Sequence, residues 1–252
     1  MNTLNQLLGK QTWREVEDYL KENDVIIFPT GSNEQHGLHL VEDTDTFVAS
    51  EVARMVAERT GVLVAPAIPY GNSIHHMPFP GTITLSYRTL VNVYKEVIGC
   101  LHTHGFKKVV IFNGHGGNSA PINQALREIK EETGNTVYSV LAFASKRGFG
   151  ASAMDIITQE GGGHACESET SQALWLGQRT RMEYAVKWKP VKKTELQEKY
   201  QGSVNWASDW NERTETGSLG DPTIASAQKG EKMVNALIDD LVEFIEDLKN
   251  SD

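Results

Sequence analysis

Lys108-Val109-Val110-Ile111-Phe112-Asn113-Gly114-His115-Gly116-Gly117-Asn118 is the stretch that decides how this chain folds. An unbroken apolar, mostly β-branched run leads straight into a glycine-rich turn. A run without alternation reads as a strand buried on both faces, as in a parallel sheet covered by helices. Upstream, residues 87–104 place Leu90, Val91, Tyr94, Val97, Ile98 and Leu101 at spacings of three and four, and Gly105 ends that helix. Downstream, a helix opens at Ser119 or Ala120, with Pro121 early in it where proline is tolerated, and runs to about Thr133. Gly134-Asn135 then turns the chain into a strand over residues 136–143.

The same unit occurs nearer the N-terminus. Residues 25–28 form a β-branched and aromatic run closed by Pro29, which predicts a buried strand. Residues 46–59 have helical spacing (Phe47, Val48, Val52, Met55, Val56), with Gly61 as the stop. Residues 62–65 predict a short strand before Pro66. Residues 223–248 are amphipathic and predict a helix packed on the sheet. Residues 182–221 are polar, with Trp188, Trp206 and Trp210 scattered among them, and no structure is assigned to them. The expected architecture is α/β: a three-layer α/β/α arrangement with a mainly parallel sheet, in one domain spanning residues 1–252.

A net charge of −9 argues against a nucleic-acid surface, which needs a basic patch. No apolar run approaches the length of a membrane span. The N-terminal Met1-Asn2-Thr3-Leu4 has no basic region followed by a long apolar stretch, so no signal peptide is expected. The two cysteines, Cys100 and Cys166, exclude a disulfide scaffold and make a reduced cytoplasm the expected location.

Ligands bind at the carboxyl ends of the strands in such sheets. The loop after residue 28 carries Glu34, His36 and Asp45, and the loop after residue 112 carries His115. Glu34 and His36, two apart in an extended loop, point in opposite directions and can contact two different metals. Asp45 has two oxygens and can bridge them, since metals about 3.5–4 Å apart share carboxylate and hydroxide ligands. Imidazole nitrogens suit Zn, Mn or Fe. The glycines around His115 allow positive φ or close backbone approach, and Asn118 either caps the next helix or orients a ligand.

A third stretch, His164-Ala165-Cys166-Glu167-Ser168-Glu169, adds an imidazole and two carboxylates. If residues 165–176 are helical, His164 and Glu167 share a face and Glu169 points elsewhere. Glu167 is then the expected metal ligand and catalytic partner of His164. Glu169 orients the helix or a ligand instead. An irregular helix start reopens that choice. His164 is the candidate general acid or base. Cys166 reads better as a small buried residue than as a nucleophile. His75 and His76, in a proline-rich loop, either contact substrate or metal or are one packed and one exposed. Arg88 either holds an anionic substrate or caps a helix.

These motifs, in this order, resemble the creatininase family of metal-dependent amidohydrolases. The matching pieces are Pro29 to Gly37, the turn containing Asp45, Phe79-Pro80-Gly81-Thr82, Asn113 to Asn118, and His164 to Ser171, together spanning roughly two-thirds of the chain. The resemblance implies a three-layer α/β fold, two divalent ions (Zn, Mn or Fe) and a homo-oligomer, often a hexamer. It carries Glu34, His36, Asp45 and His115 over as metal ligands and His164 as the proton-transfer residue. Creatininase proper has a Tyr-Glu pair where this chain has Gly116 and Gly117, and that Glu binds metal. Here Glu167 is expected to replace it. Creatininase also encloses its substrate with tryptophans in a region that corresponds here to residues 144–164, where this chain has none. Creatinine is therefore a poor substrate candidate, and the Gly-Gly form is similar to other branches: deformylases of pyrimidine precursors, a peptide-maturation protease, and hydrolases of cyclic inositol-derived ketones.

The resulting expectation is a hydrolase of a small polar carbonyl compound. Asp45 bridges two metals, with Glu34 and His115 on one and His36 and Glu167 on the other, a bridging water attacks an amide, formamide or lactam, and His164 protonates the leaving atom. His75, His76, Arg88 and Asn118 are the candidate substrate contacts. The alternatives are a C–C hydrolase of a cyclic ketone, such as 3-dehydro-scyllo-inosose, and a non-catalytic metal- or ligand-binding protein.

Overall fold

The structure is a computed structural model that describes residues 6–159 and 163–251. After helix α1 (Trp13–Tyr19), strands β1 (Val25–Thr30), β2 (Leu63–Val64), β3 (Lys108–Asn113) and β4 (Val137–Leu141) form one parallel sheet in the order β2-β1-β3-β4. The register pairs Val25 with Lys108 and Thr30 with Asn113, so the two central strands end level. Their following loops therefore lie side by side at the carboxyl edge of the sheet.

Strand alternation sorts the core into two faces. Val25, Ile27, Val110 and Phe112 pack against helices α2 (Thr44–Thr60) and α7 (Ala227–Asn250). Ile26, Phe28, Val109 and Ile111 pack against α3 (Tyr87–His104) and α4 (Ser119–Thr133). The architecture is the expected three-layer α/β/α fold. Along α7, Met233, Val234, Leu237, Ile238, Leu241, Ile245 and Leu248 are all buried, and each such side chain stabilises the fold by about 1.5–3 kcal/mol relative to exposure.

Boundaries differ from the sequence expectation in places with physical causes. β1 continues through Pro29, which stays in register opposite Phe112 and accepts the Ile68 N–H at 3.2 Å. β2, at the sheet edge, pairs over only two residues. α7 starts at Ala227, where the Ser226 side chain accepts the Lys229 N–H at 3.3 Å, because Pro222–Ile224 forms a separate 3-10 turn. Helix α5 (Glu167–Trp175) packs on α7 through Gly230, where a Cβ would lie 1.9 Å from the Ser171 carbonyl oxygen. The polar region 182–221 holds one short helix, α6 (Glu195–Lys199), and 3-10 turns at Met182–Tyr184 and Trp210–Glu212. It returns to the sheet edge at Leu219, which donates to the His164 carbonyl at 2.8 Å. Among the described residues, no helix is long and apolar enough to cross a membrane.

Candidate metal centre

Three loops are locked together before any chemistry is considered. The buried Asn118 side chain donates to the Gly31 carbonyl at 2.9 Å and accepts the Asn72 N–H at 3.0 Å. Gly114 brings the loop after β3 against the first turn of α2, where a Cβ would sit 2.1 Å from the Asp45 carbonyl oxygen. Close approach, rather than positive φ, is what this glycine-rich turn supplies: Gly114, Gly116 and Gly117 all avoid the left-handed region.

On this frame, Glu34, His36, Asp45, His115 and His164 come together, all of them buried. Two groups of ligand-type atoms share Glu34: Glu34, Asp45 and His115, and Glu34, His36 and His164, with each group's atoms within 4.8 Å of one another. One Asp45 oxygen lies 3.0 Å from His36 Nε2, and the other lies 2.9 Å from His115 Nδ1. Glu34 Oε2 is 3.3 Å from His115 Nδ1. The far side of each ring is held by backbone. His36 Nδ1–H donates to the Glu34 carbonyl at 3.1 Å, and His115 Nε2–H donates to the Asn72 carbonyl at 3.1 Å. This turns His36 Nε2 and His115 Nδ1 toward the carboxylates, the orientation that prepares an imidazole for a metal. Burial opposes charging of these rings, but Asp45 and Glu34 outweigh it, raising His36 to about 10 and His115 well above its usual value, so a metal bound there would displace a proton from each.

The donor set fits divalent cations. Glu34 Oε2 and Asp45 Oδ2 are buried without a hydrogen-bond donor, a costly state for a carboxylate that a cation relieves. Burial opposes ionisation of Glu34, yet the imidazoles of His115, His164 and His76 hold its carboxyl well below the usual range.

The two carboxylates of α5 lie opposite to the expected arrangement. Glu167 faces away from the cluster: its oxygens accept the N–H groups of Thr158 at 2.9 Å and Gln159 at 2.7 Å, and pair with Lys229. The expectation that Glu167 binds metal or partners His164 does not fit this geometry. Glu169, expected to point elsewhere, lines the cavity with Asp45, His115 and His164. Its carboxyl is pushed up to about 7 by burial, with Asp45 and Glu34 adding to the rise against the opposing effect of His36. The cause is the helix start. Ala165 adopts a left-handed φ of 47°, Cys166 is extended, and the first helical residue is Glu167. The helical spacing argument therefore does not reach His164. The Ala165 N–H, turned by this kink, donates to Glu169 Oε2.

His75 and His76 both line the cavity. His76 Nδ1 accepts from the Gln35 side chain at 2.7 Å, leaving its Nε2–H 3.5 Å from Glu34 Oε1. Asn118 was a candidate substrate contact, but its amide is engaged with backbone. Arg88 lies on the exposed side of α3, outside the cavity lining. Cys166 is buried, and burial pushes its thiol up, against a nucleophilic role. His39 is buried away from the cavity, 2.8 Å from Thr170 Oγ1.

The cavity has a volume of about 240 Å³. Sequence reasoning missed Trp210 and Phe143, which line it, and Gln35 beside it. Gln35 sits between the His76 and His164 rings, and its motif position beside two candidate ligands was the available signal. Trp210 forms a wall, its ring centroid 4.4 Å from His76 and 5.1 Å from His164. Its Nε1–H donates to the Gly217 carbonyl at 2.7 Å. No periodicity in its polar surroundings pointed to it.

Residues 9–245 match the family model described as creatininase, creatinine amidohydrolase. The chain is 34% identical over 230 residues to the mycofactocin precursor peptide peptidase of Mycobacterium tuberculosis, covering 86% of this chain and 82% of that protein. It is 30% identical over 264 residues to the 3-dehydro-scyllo-inosose hydrolase of Thermotoga maritima, covering 94% and 81%. A crystal structure of creatinine amidohydrolase superimposes with a TM-score of 0.82 at 26% identity, covering 98% of this chain and 99% of that one. Solved creatininases include a manganese form and, in a mutant, a zinc–zinc form. With its parallel sheet, its clustered His and carboxylate side chains and these matches taken together, the chain belongs to the creatininase family of amidohydrolases.

Proposed function

We propose that this protein is a dinuclear metal-dependent hydrolase that cleaves the C–N bond of a small polar amide, formamide or lactam. The observation that carries the reading is Asp45, whose two oxygens reach His36 Nε2 and His115 Nδ1 separately. Glu34, Asp45 and His115 would hold one ion. His36, with Asp45 and Glu169, would hold the other, Glu169 taking the place expected of Glu167. Zn, Mn and Fe all suit such nitrogen and oxygen donors. Two ions held there would lower the pKa of a bound water toward neutrality and polarise a carbonyl oxygen.

The chain's own groups handle the proton and the substrate. His164 Nε2–H donates to the Gln35 carbonyl at 2.7 Å, so its Nδ1 carries the lone pair toward Glu34 and the cavity. Burial and the nearby His36 push this imidazole down to about 4, so it is neutral at pH 7. It can accept a proton from the attacking water at Nδ1 and return it to the leaving atom. Trp210 and Phe143 narrow the access of bulk water.

A second reading, C–C hydrolysis of a cyclic ketone, is favoured by the match to the inosose hydrolase along 94% of this chain. The same water attack then expels a carbanion, which His164 protonates. Free, rather than disulfide-bonded, Cys100 and Cys166 fit the reduced cytoplasm. A homo-oligomer is part of the reading, and light scattering of the purified protein tests it.

The first test is elemental analysis of protein purified without chelator, followed by amine detection on amide and lactam panels and acid detection on cyclic ketones. About two ions per chain and amine release support the main reading. Acid without amine supports the second. No metal, even after it is supplied, sinks both and leaves a binding protein on this fold.

A further inference from the structure

The cavity continues past Trp210. That indole and His75 also form the inner wall of an open groove of about 520 Å³, bounded farther out by Ile74, Trp206, Asp209 and Arg213. The groove's charges are not equivalent. Asp209 caps the short turn Trp210–Glu212, and Glu212 reaches back to the Asp209 N–H at 2.9 Å, so these two carboxylates are engaged with backbone. Arg213 is different. Its carbonyl accepts from Trp188 Nε1 at 3.1 Å and from the Val191 N–H at 3.3 Å, which fixes its backbone between two segments. Its Nε donates to Ser208 Oγ at 3.0 Å, and its guanidinium lies 5.2 Å over the Trp210 ring. No carboxylate pairs with it among the described residues. A guanidinium held flat by a ring and by one nitrogen presents its remaining donors to a planar or tetrahedral anion.

We propose that Arg213 and Trp210 form a subsite for an anionic group of the substrate, a carboxylate or a phosphate, separated by several bonds from the carbonyl that is cleaved. The proposal rests on the hydrolase reading for the reacting end and adds the chemistry of the other end: the substrate is an anionic amide rather than a neutral one.

The test uses the metal-loaded protein and three matched probes: a short peptide with a free terminal carboxylate, its terminal carboxamide twin, and a twin carrying a phosphomonoester instead. Binding is read by titration calorimetry and cleavage by amine release. The expected result is a preference of about ten- to a hundredfold for an anionic probe over the neutral one. Arg213→Gln abolishes that preference and Arg213→Lys keeps part of it, with metal content and circular dichroism matching wild type. The anion bound more tightly names the source. Equal binding of neutral and anionic probes, a preference that survives Arg213→Gln, or no binding of either anion at millimolar concentration overturns the proposal. Charge preference lost in Arg213→Gln without amine release keeps the subsite and refutes the hydrolase reading. Amine release without charge preference does the reverse.

Discussion

Glu167 and Glu169 are two residues apart, and the structure gives them opposite consequences when neutralised. In metal-free protein, Glu169 sits beside Asp45 and Glu34, and its carboxyl is raised from 4.5 to about 7. A folded value above the unfolded one means that its contribution is fully favourable below pH 4.5 and is lost as pH rises through 7. The full difference is worth at most about 3 kcal/mol at 1.36 kcal/mol per pH unit. Glu169 is partly exposed, which discounts this to about 1–2 kcal/mol. Metal-free Glu169→Gln is therefore expected to be more stable than wild type at pH 8, by about 2–8 °C in Tm, and equal to it near pH 4.5. With Zn or Mn supplied the order reverses, because wild type gains about 2.7 kcal/mol at a hundredfold excess over Kd and the variant holds fewer ions. Glu167→Gln behaves differently. It unpairs Lys229 and turns an amide toward the Thr158 and Gln159 N–H groups. It is expected to lose about 3 kcal/mol with or without metal, keeping its ions. Calorimetric unfolding at both pH values and elemental analysis of each folded variant read these effects. Metal loss in Glu167→Gln with retention in Glu169→Gln refutes the assignment.

Gly114→Ala places a methyl 2.1 Å from the Asp45 carbonyl and is expected to lower both stability, by about 1–3 kcal/mol, and metal content, as read by denaturant unfolding and elemental analysis. Gly230→Ala meets the Ser171 carbonyl at 1.9 Å and is expected to cost a similar amount while the folded fraction keeps its metal. His39 is pushed down from 6.5 to about 4 by burial and by His36. Its contribution is full above pH 6.5 and is lost as pH falls toward 4. Urea unfolding between pH 7 and 4 is expected to show a loss of up to about 3 kcal/mol, flattened in His39→Gln.

The parallel sheet was readable because the runs around Ile27 and Val110 are apolar on both faces, and only a doubly covered strand needs that. The grouping of Glu34, His36, Asp45 and His115 was readable because β1 and β3 are adjacent and end level, so residues 70–81 positions apart in sequence share one edge. The positions of Glu167 and Glu169 were not, because a single left-handed residue, Ala165, delays the helix and rotates every side chain after it. Arg88 was misplaced because a helical pattern tells which face is buried but not which end lies near the cavity. Trp210 escaped because it comes from a region whose turns are set by backbone hydrogen bonds, and these leave no hydrophobic period to read.

The Asn118 amide joins the loops of Gly31, Asn72 and His115 through bonds that involve none of the candidate metal-ligand side chains. The donor atoms therefore keep their places without ions, and filling the proposed site needs no refolding. A site that persists when empty accepts whichever suitable cation is most abundant, since intrinsic preference among first-row ions follows donor type and geometry rather than biological need. If the proposed ions are held there, the one carried by this protein in a cell would then track the metal supply of the moment.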